Sequence, residues 1–183
     1  RGIGFEIAKQ LREKQHHVIA TYRGSAGSLE ELDVETVGGV DIAEEKGVEH
    51  LVQALEGREF NNVFIVSGIL RRDSLEEPAF DDVLAQLVVN AMGPLRTATA
   101  LYPQIPEGGR IGILTSRMGS ISDNTSGGMY GYRMSKAAVN AAGVSLAQDL
   151  QDKGISVGLF HPGYVRTEMT AGNGHIDPDE AAR

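Results

Sequence analysis

The sequence predicts a doubly wound α/β domain, a parallel sheet with helices on both faces. Three observations carry this. Short apolar segments alternate with longer segments of helical period, the rhythm of a strand followed by a crossover helix. The strands are apolar throughout rather than alternating, as strands buried on both faces are. No internal repeat, low-complexity tract or linker interrupts the 183 residues, 41% of them hydrophobic, so residues 1–183 read as a single domain with one core.

The elements follow in order. Residues 4–14 place Ile7, Ala8 and Leu11 on one helical face and charges on the other. Residues 17–22 (HVIATY) form a compact strand closed by Arg23-Gly24-Ser25, and residues 35–40 a weaker one. Residues 44–55 return to helical period, and residues 63–66 (VFIV) are an apolar strand ending in Ser67-Gly68. Residues 80–101 read as one long helix, with Pro103 just beyond its end. The strands 110–115 (RIGILT) and 155–160 (ISVGLF) flank a helix over 129–150. Asp177 followed by Pro178 reads as the N-cap and first position of a last helix. Both ends look cut, since a nucleotide-binding βαβ unit needs a strand immediately before the turn at Gly4. A missing central strand would leave two unpaired edges, and residues upstream of Arg1 are expected in the natural protein.

Composition removes several functions. The formal net charge is −8 and the pI about 5.1, so no nucleic-acid partner is expected. The absence of cysteine excludes disulfides, thiolate metal sites and a cysteine nucleophile. No apolar run approaches the roughly 20 residues of a membrane-spanning helix. No membrane partner is expected, and the location is expected to be cytoplasmic. The five histidines show no metal-ligand spacing, so no catalytic metal is expected.

The chemistry gathers in YRMSK. Tyr132 and Lys136 lie four apart, one turn from each other on a single helix face. A phenol titrates near 10, and a neighbouring ammonium favours the phenolate and lowers that value. Carbonyl reduction needs such tuning, because hydride goes to carbon while an acid protonates oxygen. Alone the pair is weak, since an exposed helix can carry an unrelated tyrosine and lysine. Ser116 follows the strand 110–115, at the sheet edge where open α/β folds bind ligands. Its hydroxyl suits polarising a carbonyl and equally suits a local backbone bond. Asn90, in the otherwise apolar VVNAMG, wants a partner, either a functional one or a satisfied core contact.

Ser116-x-x-Gly119, Tyr132-x-x-x-Lys136, Asn90-x-x-Gly93 and Pro162-Gly163-x-Val165-x-Thr167 stand in one order over the whole chain. Arg1-Gly2-Ile3-Gly4 looks like the tail of a glycine-rich cofactor loop. Together they resemble the short-chain dehydrogenase/reductase family, closest to its C-factor-like and sniffer-like carbonyl reductase branch. The resemblance implies a Rossmann-type doubly wound sheet lacking the family's first and last strands. It implies Tyr132 as acid/base, Lys136 lowering its pKa and bonding the nicotinamide ribose, Ser116 orienting the substrate carbonyl, and Asn90 holding a relay water. Gly2, Ile3 and Gly4 would meet the cofactor pyrophosphate. Asp41, with Ile42 beside it, would sit near the adenine, as would Gly68. Thr167, after Pro162, Gly163 and Val165, would contact the nicotinamide end.

Three departures from the pattern stand out. The strand 63–66 ends Ile-Val-Ser-Gly rather than Asn-Asn-Ala-Gly, 15 residues separate Ser116 from Tyr132, and the family's opening threonine-glycine is absent. Where NAD-selective sites place an acidic residue after the second strand, this chain has Thr21-Tyr22-Arg23 and no acid before Glu30. Arg23 therefore favours the 2′-phosphate of NADP(H), with NAD(H) as the alternative.

The expected function is hydride transfer between NADP(H) and a small-molecule carbonyl or alcohol. The alternative is a regulatory or signalling protein that binds cofactor without turnover. A lyase or epimerase reading lacks the separate substrate domain that such chains carry. In the family the helices corresponding to 80–101 and 129–150 often pair between subunits, so the resemblance points to a homodimer or homotetramer, with a monomer as the alternative.

Overall fold

Apolar period and turn chemistry produce the expected alternation of strand and helix over residues 1–183, all described by the computed structural model. The chain forms two compact units, Arg1–Leu55 with Pro162–Arg183, and Glu56–His161.

In the first unit, α1 (Gly2–Glu13) is followed by β1 (Ile19–Thr21), β2 (Glu35–Val37) and α2 (Glu45–Ala54). β1 and β2 run parallel, Ile19 opposite Glu35 and Thr21 opposite Val37. The apolar face of α1 delivers Ala8 to a small core with Ala26 and Leu29, against which Phe5, Ala20, Tyr22 and Leu32 pack. Near the end of the chain the short helix α6 (Pro178–Ala181) starts at Asp177. The Asp177 carboxylate does not cap that helix but accepts from Arg166 at 3.0 Å, a charge-assisted bond that outcompetes a neutral amide.

The second unit contains β3 (Asn62–Ile65), α3 (Phe80–Leu87), α4 (Gly93–Leu101), β4 (Arg110–Leu114), α5 (Tyr130–Asp149) and β5 (Ser156–Phe160). Its sheet has the order β3-β4-β5 and is wholly parallel, with Ile111 between Val63 and Val157. Central β4 buries Ile111 and Ile113 completely. The two edge strands do not meet the expectation of burial on both faces, since Phe64 is 44% and Phe160 51% exposed. Both rings lie over Gly112, which has no side chain to push them away.

One expectation is met and one is modified. The parallel strands pair β1 with β2 and β3 with β4, so that β1 and β3 are the two unpaired edges expected where a central strand is missing. The single helix over 80–101 is three pieces, α3 and α4 joined by a π-helical turn, Val88–Met92. Pro94 supplies the reason, because it has no N–H to return to the carbonyl of Asn90 four residues earlier. No helix is long and apolar enough to cross a membrane.

Candidate active site

The site is assembled where β4 ends. Thr115 continues the strand, its N–H donating to the Phe160 carbonyl at 2.9 Å. Ser116 then opens the 3-10 turn Arg117–Gly119, its Oγ accepting from the Met118 N–H at 3.1 Å. Gly119 lets this turn lie directly on α5, since a Cβ there would stand 2.7 Å from the Lys136 carbonyl carbon. Thr115 Oγ1 donates to Asn140 Oδ1, one helical turn beyond Lys136, at 2.5 Å. With the turn so held, the Ser116 hydroxyl stands beside the Tyr132 phenol and favours its ionised form. Lys136 Nζ lies 5.7 Å from the centre of the Tyr132 ring and donates to the Leu114 carbonyl at 3.0 Å. The local backbone bond of Ser116 is therefore made, and a hydroxyl with one donor and two acceptor positions keeps capacity beyond it.

Tyr132 and Lys136 are buried, 8% and 4% exposed. Burial pushes the Tyr132 phenol above its ordinary 10, and the Ser116 bond offsets only part of that rise. Burial also lowers the Lys136 ammonium to about 8. The expected downward tuning of the phenol by Lys136 is thus not the net result. Desolvation of the anion outweighs the lowering by Ser116, and near neutral pH both groups hold their protons.

Asn90, on the π turn, is wholly buried. Its amide matches both backbone groups of Ile69, Oδ1 accepting from N–H and Nδ2 donating to the carbonyl, each at 2.8 Å. Nδ2 also donates to Ser135 Oγ at 3.0 Å, and that hydroxyl donates to the Tyr132 carbonyl at 2.8 Å. Gly68 faces this cluster, where a Cβ would stand 3.3 Å from Asn90 Oδ1 and 3.7 Å from Lys136 Nζ. Gly68, Asn90, Ser116, Tyr132 and Lys136 are therefore one connected group.

The other candidate residues lie in the first unit. Gly2 begins α1 at φ +57, and a Cβ on it would meet the Thr167 methyl at 3.6 Å. No side chain caps this helix and no acidic residue occupies its first turn, so the amides at Gly2, Ile3 and Gly4 have no side-chain acceptor. The Arg23 guanidinium, exposed, lies 3.6 Å from the Asp41 carboxylate. Asp41 Oδ1 accepts from Ala43 N–H at 3.0 Å, and Ile42 between them is buried. Pro162 and Gly163 lead into Val165, buried and bridged to Ile176, and the Thr167 N–H donates to Thr170 Oγ1 at 3.1 Å.

Sequence reasoning missed Ser135 and Asn140, which tie Asn90 and Thr115 to α5, and Asp73, which accepts from the Tyr130 and Gly131 amides. A helix start at 129 preceded directly by Gly127 and Gly128, with no side-chain oxygen at the cap position, was the available signal that a cap comes from elsewhere. A cavity of about 270 Å³ is lined by Met118, Ile121, Arg133 and Met134. Tyr132 is not among its walls, because residues 133, 134 and 137 occupy the side of α5 opposite 132 and 136.

Comparison with known proteins agrees over the whole chain. The family model described as enoyl-(acyl carrier protein) reductase matches residues 1–182. A 1-hydroxy-2-glutathionyl-2-methyl-3-butene dehydrogenase from Rhodococcus sp. (strain AD45) is 39% identical, the match covering 100% of this chain and 83% of the relative. A short-chain dehydrogenase/reductase from Burkholderia multivorans, solved with bound NADP, superposes with a TM-score of 0.90 at 30% identity, covering 100% of this chain and 83% of that one. The carbonyl reductase Sniffer of D. melanogaster superposes with a TM-score of 0.88 at 28% identity, covering 100% and 84%.

Proposed function

The chain belongs to the short-chain dehydrogenase/reductase family, and on that footing we propose that it reduces a carbonyl compound with NADPH, Tyr132 donating the proton. The observation that carries the reading is the buried Tyr132 phenol, with the Ser116 hydroxyl beside it and the Lys136 ammonium 5.7 Å from its ring. The raised phenol and the still-protonated ammonium suit the reductive direction, in which the tyrosine must begin as an acid.

The residues present fit a dinucleotide. The uncapped start of α1 accepts its pyrophosphate through Gly2, Ile3 and Gly4, and Gly2 leaves room for close approach. Arg23 would pair with a 2′-phosphate, which favours NADP(H), and Asp41 keeps the guanidinium near its own loop. Asp41 and Ile42 border the adenine. Gly68 leaves open the space before Lys136, and Pro162, Gly163, Val165 and Thr167 serve the nicotinamide end. The solved Burkholderia multivorans relative binds NADP, which supports the same choice here.

When bound, the cofactor supplies the hydride. Ser116 holds the substrate oxygen and polarises the carbonyl. Tyr132 gives its proton to that oxygen as the carbonyl carbon receives the hydride, leaving an alcohol and a phenolate. Lys136 stabilises the phenolate through its charge and spends one of its three protons on Leu114, which fixes its direction. Asn90 anchors the chain after Gly68 and offers the second lone pair of Oδ1 to a relay water.

The test is oxidation of NADPH and NADH over a panel of aldehydes, ketones and quinones, with Tyr132→Phe beside the natural protein. Turnover that prefers NADPH and falls by about 10²–10⁴ in the variant is expected. Cofactor binding without any turnover, or a fully active variant, would transfer support to a regulatory role.

A further inference from the structure

α5 carries Tyr132 in its first turn yet brings no cap of its own. Gly127, Gly128 and Met129 precede it without a side-chain oxygen, Met129 stands at φ +56, and the first turn holds no acidic residue. The amides that a helix start leaves unbonded turn instead to a residue far upstream. Asp73 accepts from Met129 N–H through its carbonyl at 3.2 Å, from Tyr130 N–H through Oδ1, and from Gly131 N–H through Oδ2 at 2.8 Å. Three successive amides turned inward after a left-handed residue form an anion cradle. The Asp73 carboxylate takes two of these amides, Tyr130 and Gly131, in charge-assisted bonds and is favoured by the positive end of the helix.

Two features make this a rigid clamp. Gly131 permits the close approach, since a Cβ there would stand 2.5 Å from Gln86 Nε2 and 3.1 Å from Asp73 Oδ2. The segment that delivers Asp73 is itself tied down. Ile69 is bonded to Asn90 through both backbone groups, and the Arg71 N–H donates to Oε1 of the fully buried Gln86 at 2.9 Å. Tyr132 directly follows Gly131, and its carbonyl accepts from Ser135, the partner of Asn90. The turn bearing Tyr132 is therefore gripped by Asp73 on one side and by Asn90 on the other.

We propose that Asp73 is a positioning residue, whose hold on the first amides of α5 sets the rotation of that turn and hence the place of the Tyr132 hydroxyl against Ser116. The proposal rests on Tyr132 being the proton donor. A cap that merely stabilised the fold would affect stability alone, whereas a positioning role separates kcat from cofactor affinity.

The experiment compares Asp73→Ala and Asp73→Asn with the natural protein in kcat for carbonyl reduction, NADPH affinity by titration, and backbone hydrogen exchange of the peptide over 129–135. For Asp73→Ala a fall in kcat of about 30- to 100-fold, roughly 2–3 kcal/mol of barrier, is expected with NADPH affinity within about twofold. Exchange should quicken in the 129–135 peptide and not in the second half of α5. Asp73→Asn, which keeps one acceptor oxygen, should recover most of the rate and lose only about three- to tenfold. A kcat within about twofold for Asp73→Ala, or a parallel fall of kcat and cofactor affinity, would overturn the proposal. Should that variant fail to fold, Asp73→Asn decides alone: a loss of threefold or more at unchanged affinity supports positioning, and full activity refutes it. Quickened exchange in Asp73→Ala together with a fully active Tyr132→Phe would leave the clamp standing and remove the catalytic assignment. Normal exchange and rate in Asp73→Ala beside an inactive Tyr132→Phe would do the reverse.

Discussion

At the scale of single residues, the site depends on burial as much as on the identity of its groups. Tyr132 in water would ionise near 10, and here its removal from solvent makes the anion costlier still, with Ser116 recovering part of the difference. A phenol held neutral is a reservoir for the proton that a reduced carbonyl needs. Arg23 is the opposite kind of group, exposed and held only by Asp41 at 3.6 Å, so its contribution is confined to the ligand that it meets. Arg23→Ala is expected to weaken NADPH binding by about ten- to a hundredfold while NADH binding changes by less than about twofold. Calorimetric titration with both dinucleotides checks this, and equal weakening of the two would remove Arg23 from the 2′-phosphate site.

At the scale of elements, two local irregularities do most of the positioning. Pro94 cannot return a hydrogen bond to Asn90, so the helix widens into a π turn just where Asn90 must reach Ile69. The 3-10 turn after β4 lies flat on α5 because Gly119 has no side chain. Gly119→Ala would drive a methyl into the Lys136 backbone, which has little room to move. The expected cost is about 1–3 kcal/mol of stability, with a fall in kcat of at least about tenfold as Ser116 is pushed from Tyr132. Thermal unfolding and initial rates measure the two effects, and a variant as stable and active as the natural protein would show that the turn is not fixed by this contact.

For the molecule as a whole, the buried lysine links the proposed catalysis to stability. The Lys136 ammonium titrates at about 8 in the folded chain and near its ordinary 10.5 when unfolded. Between these values the unfolded state binds more protons, so stability rises with pH across that interval and the penalty for burying the charge is fully present below about 8. Tyr132 acts in the opposite sense only above 10, where its raised phenol would have to ionise on unfolding. From pH 8 to 10, therefore, the protein is expected to gain about 2–3 kcal/mol relative to Lys136→Met. Denaturant unfolding of both proteins at several pH values tests this. A constant difference would mean that Lys136 is better solvated than its burial indicates. Reductive activity should decline over the same interval, as the ammonium that stabilises the phenolate is lost.

Much of this was legible in the linear order of residues. Apolar period placed the five strands and the longer helices to within a few residues, and the spacings Ser116 to Gly119 and Tyr132 to Lys136 marked the candidate groups, because turn length and helical pitch are local properties. The direction of the Tyr132 shift, the break of the long helix at Asn90 and the cap supplied by Asp73 were decided by tertiary structure. Each depends on groups far apart in sequence, 21 residues between Asn90 and Ile69 and 57 between Asp73 and Tyr130. No periodicity encodes such pairs. Desolvation likewise belongs to the packed core and not to the residues that it surrounds.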